Sequence, residues 1–210
     1  AEAATSAIDR ARSMTANNPP KIGGILLAAG GSTRFGSPKQ LAIYHGKSLI
    51  RRAAETLVSS GCDLNVVVLG AEIEASTEEL QGLPISICLN ENWKSGMSSS
   101  IKAGLEYLLN LEPKLDAVLI TLCDQPHVTT DALQLLLSEF QANSALVVAA
   151  KYGKTIGVPA VFSRELFDQL IHLEGDKGAR NLIRSRNDLV TIEIDAAAID
   201  IDTPSDVDQL

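Results

Sequence analysis

Ile22-Gly23-Gly24-Ile25-Leu26-Leu27-Ala28-Ala29-Gly30-Gly31-Ser32-Thr33-Arg34-Phe35-Gly36-Ser37-Pro38-Lys39-Gln40-Leu41 is the stretch on which the fold turns. Its first third, Ile22–Ala28, is a short apolar run that stops at glycines, the pattern of a buried strand. Beyond Ala28 the chain becomes a loop of small residues, hydroxyls and two cations. Glycines accept positive φ and turn backbone N–H groups into one concavity. Ser32 and Thr33 add hydroxyl donors. Arg34 suits forked contact with phosphate oxygens, and Lys39 acts as a point charge. A Walker A loop needs Lys directly after its second glycine, but Gly36 is followed by Ser37-Pro38. A dinucleotide fingerprint needs GxGxxG, which Gly30–Gly36 does not supply. On glycine content alone, an ordinary strand-to-helix turn with solvated Arg34 and Lys39 fits as well.

Outward from this loop, strand and helix patterns alternate. Ser48–Ser60 has helical spacing through Leu49, Ile50, Ala53, Ala54, Leu57 and Val58, with Gly61 placed to end the helix. Strands are expected at 65–70, 85–89, 117–122, 145–150, 158–162 and 189–194. Helices are expected at 72–81, 98–109, 130–140, 165–170 and 178–185, and a short one after Pro204. Leu133, Leu136, Leu137 and Phe140 should face inward, as should Ile101, Leu105 and Leu108. This alternation implies α/β architecture: a mostly parallel central sheet with helices on both faces. Residues 1–20, small and polar and ending in Asn17-Asn18-Pro19-Pro20, read as a flexible leader. Residues 21–210 read as a single domain. Ligands of such sheets sit outside the carboxyl ends of strands, so the loops after the first and fourth strands should share one crevice.

Composition narrows the function. Aromatic residues are only 4% of the 210, so aliphatic side chains must build the core. A formal charge of −8 argues against a nucleic-acid partner, which needs clustered cations. No apolar run is long enough for a bilayer, so no membrane partner is expected. Cys62, Cys88 and Cys123 are odd in number and scattered, which excludes a disulfide framework and suits a reducing cytoplasm.

The combined pattern Leu-Ala-Ala-Gly-x-Ser-x-Arg-Phe-Gly-x-x-Lys-x-Leu, Leu27 to Leu41, resembles the signature loop of the molybdenum cofactor nucleotidyltransferases. It is most similar to the cytidylyltransferase branch, in which Ala-Ala-Gly replaces Ala-Gly-Gly. The resemblance implies a three-layer Rossmann-like nucleotidyltransferase fold. It implies transfer of CMP from CTP to molybdopterin with release of pyrophosphate, magnesium dependence and a molybdoenzyme client. It places Arg34 and Lys39 on the triphosphate, and Leu27, Ala28, Ala29, Gly30, Gly31 and Ser32 beside the nucleotide. Cys123-Asp124-Gln125-Pro126 resembles the metal-binding Asp-x-Pro element, which makes Asp124 a magnesium ligand and, with Arg34 and Lys39, a catalytic residue. Taken alone, Asp124 could equally start a turn.

The likeness extends through most of the chain. Asn90-Glu91-Asn92-Trp93-Lys94-Ser95-Gly96-Met97-Ser98 is similar to an element that lines the nucleotide site, giving Asn90, Gly96 and Ser98 contact roles. Gly157-Val158-Pro159 resembles the acceptor-side strand and makes Pro159 an acceptor contact, although Val158 stands where many cytidylyl enzymes carry His. Gly175-Asp176-Lys177-Gly178-Ala179-Arg180 resembles a loop whose Lys177 and Arg180 approach the anionic acceptor. Asp200-Ile201-Asp202-Thr203-Pro204 matches a late motif and makes Asp202 a second metal ligand. Cys123 reads as a small buried thiol, with no His paired to it in sequence. Two other functions fit the residues. One is a nucleotidyltransferase with another base or acceptor, GTP with molybdopterin or a sugar phosphate. The other is a non-catalytic carrier or maturation factor for the molybdenum cofactor.

Overall fold

The structure is a computed structural model and describes residues 19–31, 38–201 and 206. The expected leader falls almost wholly outside these residues, as do Ser32, Arg34, Asp202 and the helix expected after Pro204.

Seven strands form the central sheet. They are β1 (Ile22–Ala28), β4 (Leu64–Leu69), β5 (Ser86–Leu89), β6 (Ala117–Leu122), β7 (Val147–Tyr152), β8 (Thr155–Ser163) and β9 (Leu189–Glu193). β2 (Ile43–Tyr44) and β3 (Lys47–Ser48) make a separate small hairpin. The sheet order is β5-β4-β1-β6-β8-β7-β9. β1 lies parallel to β4 and β6, and β5 is parallel to β4. β8 is antiparallel to both of its neighbours, and β7 is parallel to β9.

Helices cover both faces because successive strand residues point to opposite sides and nearly all are apolar. From β1, Leu26 and Ala28 join one cluster with Val67, Leu69 and Leu119. Against it pack Ile50, Ala54 and Leu57 of α1 (Leu49–Val58). Leu133, Leu136, Leu137 and Phe140 of α4 (Thr130–Ala142) complete that layer. Between them in sequence lie α2 (Ile73–Glu79) and α3 (Met97–Leu111). Ile25 and Leu27 point the other way, to Val66, Val68, Val118 and Ile120. That face is closed by Ile101, Leu105 and Leu108 of α3, by α5 (Phe167–Ile171) and by α6 (Arg180–Arg184). The inward stripes expected for α3 and α4 are the buried ones. Ser48 caps α1 by accepting from the Arg51 amide at 3.3 Å, and Thr129 caps α4 by accepting from the Ala132 amide at 3.3 Å.

Two features depart from a plain βαβ reading. β7 and β8 are joined directly as an antiparallel hairpin with no helix between them. Along β8, Ala160 pairs with Ala149 while Gly157 pairs with Ala150, leaving Val158 and Pro159 as a bulge. The peptide between them is cis. Pro159 thus sits inside the sheet, at the place where a ladder N–H is not required.

Candidate active site

Because β1, β4, β5 and β6 run parallel, the loops after them emerge at one rim. There they enclose a cleft of about 550 Å³. Its floor is the chain from Leu27 to Gly31 on one side and Leu122, Cys123 and Asp124 on the other. Lys39, Gln40, Trp93, Lys94, Gly96 and Met97 form its flanks. The two loops expected to meet therefore do so. The Cys123 amide donates to the Leu27 carbonyl at 3.2 Å, a direct tie between the two strand ends.

Across the cleft, the Lys39 ammonium donates to Asp124 Oδ2 at 2.7 Å. The two side chains are only 18% and 20% exposed, so this ion pair is largely shielded from water. Asp124 Oδ1 is buried and accepts no hydrogen bond from the described residues. A carboxylate oxygen in that state fits a hard divalent cation, which takes carboxylate oxygen together with phosphate and water oxygens. The backbone around Asp124 is held from three directions. Its carbonyl accepts from the Ile201 amide at 2.9 Å, bringing the late motif beside it. The next residue, Gln125, donates through Nε2 to the Ala197 carbonyl at 2.9 Å and to the Val158 carbonyl at 3.5 Å. The Asp124 turn is thereby fastened to the β8 bulge.

The wall of the cleft depends on an aromatic ring pressed against glycines. A Cβ at Gly70, just past β4, would lie 2.5 Å from Trp93 Cβ and 2.8 Å from the Ala29 carbonyl oxygen. At Gly31 a Cβ would meet the indole at 2.6 Å. The ring therefore seats directly on the first loop, with the Lys94 ammonium 5.5 Å from its centroid. Gly96 ends this flank with φ of 107° and lies against Gly175 and Asp176. Burial pushes the Cys123 thiol up to about 12, with the Asp124 charge adding to the effect. Such a thiol stays protonated and is no nucleophile.

Leu27, Ala28, Ala29, Gly30, Gly31, Lys39, Gly96 and Asp124 all line the cleft. Asn90 and Ser98 do not. Asn90 is buried and its amide donates to Ser99 Oγ at 2.8 Å and Ser100 Oγ at 3.0 Å, bracing the start of α3. Ser98 borders a neighbouring groove with its hydroxyl buried, while Met97 and Ser100, one helical turn apart, line the cleft. Pro159, Lys177 and Arg180 also lie outside its lining, although Asp176 beside Lys177 is part of it. Gln40, Trp93, Lys94, Met97, Ser100 and Asp176 also line the site; Trp93 and Met97 belong to the element similar to the nucleotide-lining one, where contact roles were expected only of Asn90, Gly96 and Ser98. For Trp93 a signal exists: a single Trp in a chain this poor in aromatics, lying within the loop that follows a strand.

Comparison with known proteins agrees with this geometry. Residues 24–190 match the family described as MobA-like NTP transferase domain. Nicotine blue oxidoreductase of Paenarthrobacter nicotinovorans is 32% identical over 194 residues, covering 88% of this chain and 93% of the relative. A probable molybdenum cofactor guanylyltransferase of Bacillus cereus (strain Q1) is 28% identical over 153 residues, 73% of this chain and 74% of the relative. Among solved structures, Rv0371c of Mycobacterium tuberculosis H37Rv superposes with a TM-score of 0.79 at 26% identity, over 91% of this chain and 98% of that one. The manganese complex of Rv0371c superposes with a TM-score of 0.75, over 90% and 97%. With its Gly-rich first loop and a carboxylate facing it from the end of β6, this chain belongs to the MobA-like NTP transferase domain family and is a nucleotidyltransferase.

Proposed function

We propose that the protein transfers CMP from CTP to molybdopterin and releases pyrophosphate, with magnesium as the metal. The observation that carries this reading is the Lys39–Asp124 pair, 2.7 Å apart over a floor of small-residue backbone. It puts a phosphate-binding cation and a metal-binding carboxylate at one point of one cleft. Leu27–Gly31 backbone and Gly96 border the nucleotide, and Arg34 joins Lys39 on the β- and γ-phosphates. Asp124 holds the metal, with Asp202 as a second ligand; the bond from Ile201 to Asp124 supports that pairing. When bound, the cation neutralises charge on the triphosphate. Lys39 and Arg34 stabilise the leaving pyrophosphate. Asn90 and Ser98 act one layer back, holding the first turn of α3 in place. Pro159, Lys177 and Arg180 form the acceptor side, so that the acceptor phosphate attacks the α-phosphorus in line. No side chain is needed as nucleophile, and positioning with electrostatics supplies most of the rate.

Preference for CTP rests on Ala28-Ala29-Gly30, the form of the loop resembling the cytidylyl branch. Relatives named as guanylyltransferases make GTP the competing base. A reducing, cytoplasmic setting is part of the same reading and rests on three cysteines outside any disulfide. Among the described residues, no helix is long and apolar enough to cross a membrane.

One observation favours a second reading: the relative at 32% identity is named an oxidoreductase. Under it, the cleft takes the nucleotide portion of a dinucleotide hydride donor. Incubation of the protein with molybdopterin, magnesium and CTP, GTP or ATP in turn, scored by pyrophosphate, tests the first. Release with CTP above the other two is the expected result. Absence of release with any triphosphate, together with NADH- or NADPH-dependent reduction of an added two-electron acceptor dye, would replace it with the second.

A further inference from the structure

Lys39 opens a short 3-10 turn, Lys39–Leu41, whose backbone is fixed by bonds from Leu41 to Pro38 and from Ala42 to Lys39, each 3.0 Å. Redirecting the ammonium therefore falls to the side chain, and a lysine stem has four rotatable bonds with which to do so. In this structure its ammonium rests on Asp124 Oδ2 at 2.7 Å, while Oδ1 of the same carboxylate is buried without a partner among the described residues. A divalent cation on either oxygen of this carboxylate would stand beside the ammonium. Two cations held so close in a site four-fifths shielded from water repel strongly. The same lysine has a better partner once a triphosphate enters, because the polyanion carries several charges where Asp124 carries one.

We propose that Lys39 is a stand-in for the divalent cation: it holds Asp124 neutralised in the nucleotide-free protein and gives up the carboxylate when a triphosphate draws the ammonium away. Metal binding is therefore conditional on nucleotide binding, and the cleft does not sequester a divalent cation on its own. The ion pair also answers the cost of leaving a partly buried carboxylate uncompensated between turnovers. Lys39 acts as a positioning residue for the metal site as well as a contact for phosphate. This inference rests on the reading of the cleft as a nucleoside triphosphate site.

The test uses the full chain and Mn2+ as probe, with free Mn2+ measured by electron paramagnetic resonance. Wild type without nucleotide should bind Mn2+ weakly, and with CTP it should remove more free Mn2+ than a protein-free mixture of Mn2+ and CTP does. Lys39→Met should bind Mn2+ without nucleotide about tenfold more tightly than wild type or better, since the competing charge is gone. Lys39→Gln keeps a hydrogen-bonding side chain and should show the same gain, so a folding defect in one variant does not decide the outcome. The gain should vanish in Lys39→Met/Asp124→Asn. Unchanged nucleotide-free affinity in both single variants, or a gain that persists in the double variant, overturns the proposal. Failure of the underlying reading has a different signature. Neither CTP, GTP nor ATP would then alter Trp93 fluorescence or Mn2+ affinity in the wild type, whatever the nucleotide-free series shows.

Discussion

The two sides of β6 are built on different plans. Toward β1, β4 and β5 every strand is parallel, every connection returns the chain to the same rim, and the loops after β1, β5 and β6 line the cleft. Toward β8, β7 and β9 the direction reverses, two strands meet in a hairpin, and a bulge at Val158-Pro159 breaks the ladder. The first side offers the cleft backbone and small residues, Leu27 to Gly31. The second side reaches toward it through the bulge at Val158-Pro159 and irregular turns. Under the proposed function, the difference divides the two kinds of specificity: phosphates and metal on the parallel side, the acceptor on the reversed side. Gln125 is the bolt between them, holding the Asp124 turn to the Val158 and Ala197 carbonyls.

The sharpest way to break this division is Asp124→Ala. It should lower pyrophosphate release by about a thousandfold or more, as loss of a charge-stabilising group in a preorganised site does. Far-ultraviolet circular dichroism should stay that of the wild type, because the Asp124 backbone bond to Ile201 does not involve the side chain. Activity that survives this change would remove the metal from the parallel side. Gly70→Ala probes the wall rather than the charge. Its Cβ would drive into Trp93 and the Ala29 carbonyl at 2.5 and 2.8 Å. Overpacking of this kind costs about 1–3 kcal/mol, readable in urea unfolding, and the KM for the triphosphate should rise about tenfold. The KM for the acceptor should not move; a shift in it would show that Trp93 serves both substrates. Arg180→Ala gives the smallest expected effect, a rise of about three- to tenfold in acceptor KM, since an exposed charge is well screened. If instead the triphosphate KM rose, Arg180 would belong to the nucleotide side and the comparison would fail.

Much of this molecule is legible in the order of its residues. The first strand is Ile22–Ala28 by pattern and by structure, because a continuous apolar run bounded by glycines has one stable use in an α/β sheet. The inward stripe of α4 is equally plain, since Leu133, Leu136, Leu137 and Phe140 recur at helical spacing. The reversal of β8 is not, because strand patterning carries no sign of direction. The loss of Asn90 and Ser98 from the cleft lining has a related cause. For Ser98, proximity in sequence to Gly96 does not say which side of the helix a residue takes, since neighbours on a helix diverge by about 100°; Asn90, ahead of the helix, is turned inward by its bonds to Ser99 and Ser100. Trp93 is hidden as a wall because its role depends on Gly31 and Gly70, which come from the ends of two other strands.

By itself, the order of residues determined what is local: strands and helices from their periods, and the small-residue loop that resembles its family. Those properties depend on neighbours within a few positions, and chain chemistry alone settles them. Only the tertiary structure decided that Lys39 and Asp124 face each other at 2.7 Å, that Cys123 is deep enough for its thiol to remain protonated, and that Pro159 occupies a bulge. These depend on distances between segments far apart in the chain, which are set by how the sheet orders its strands and by which groups it shields from water.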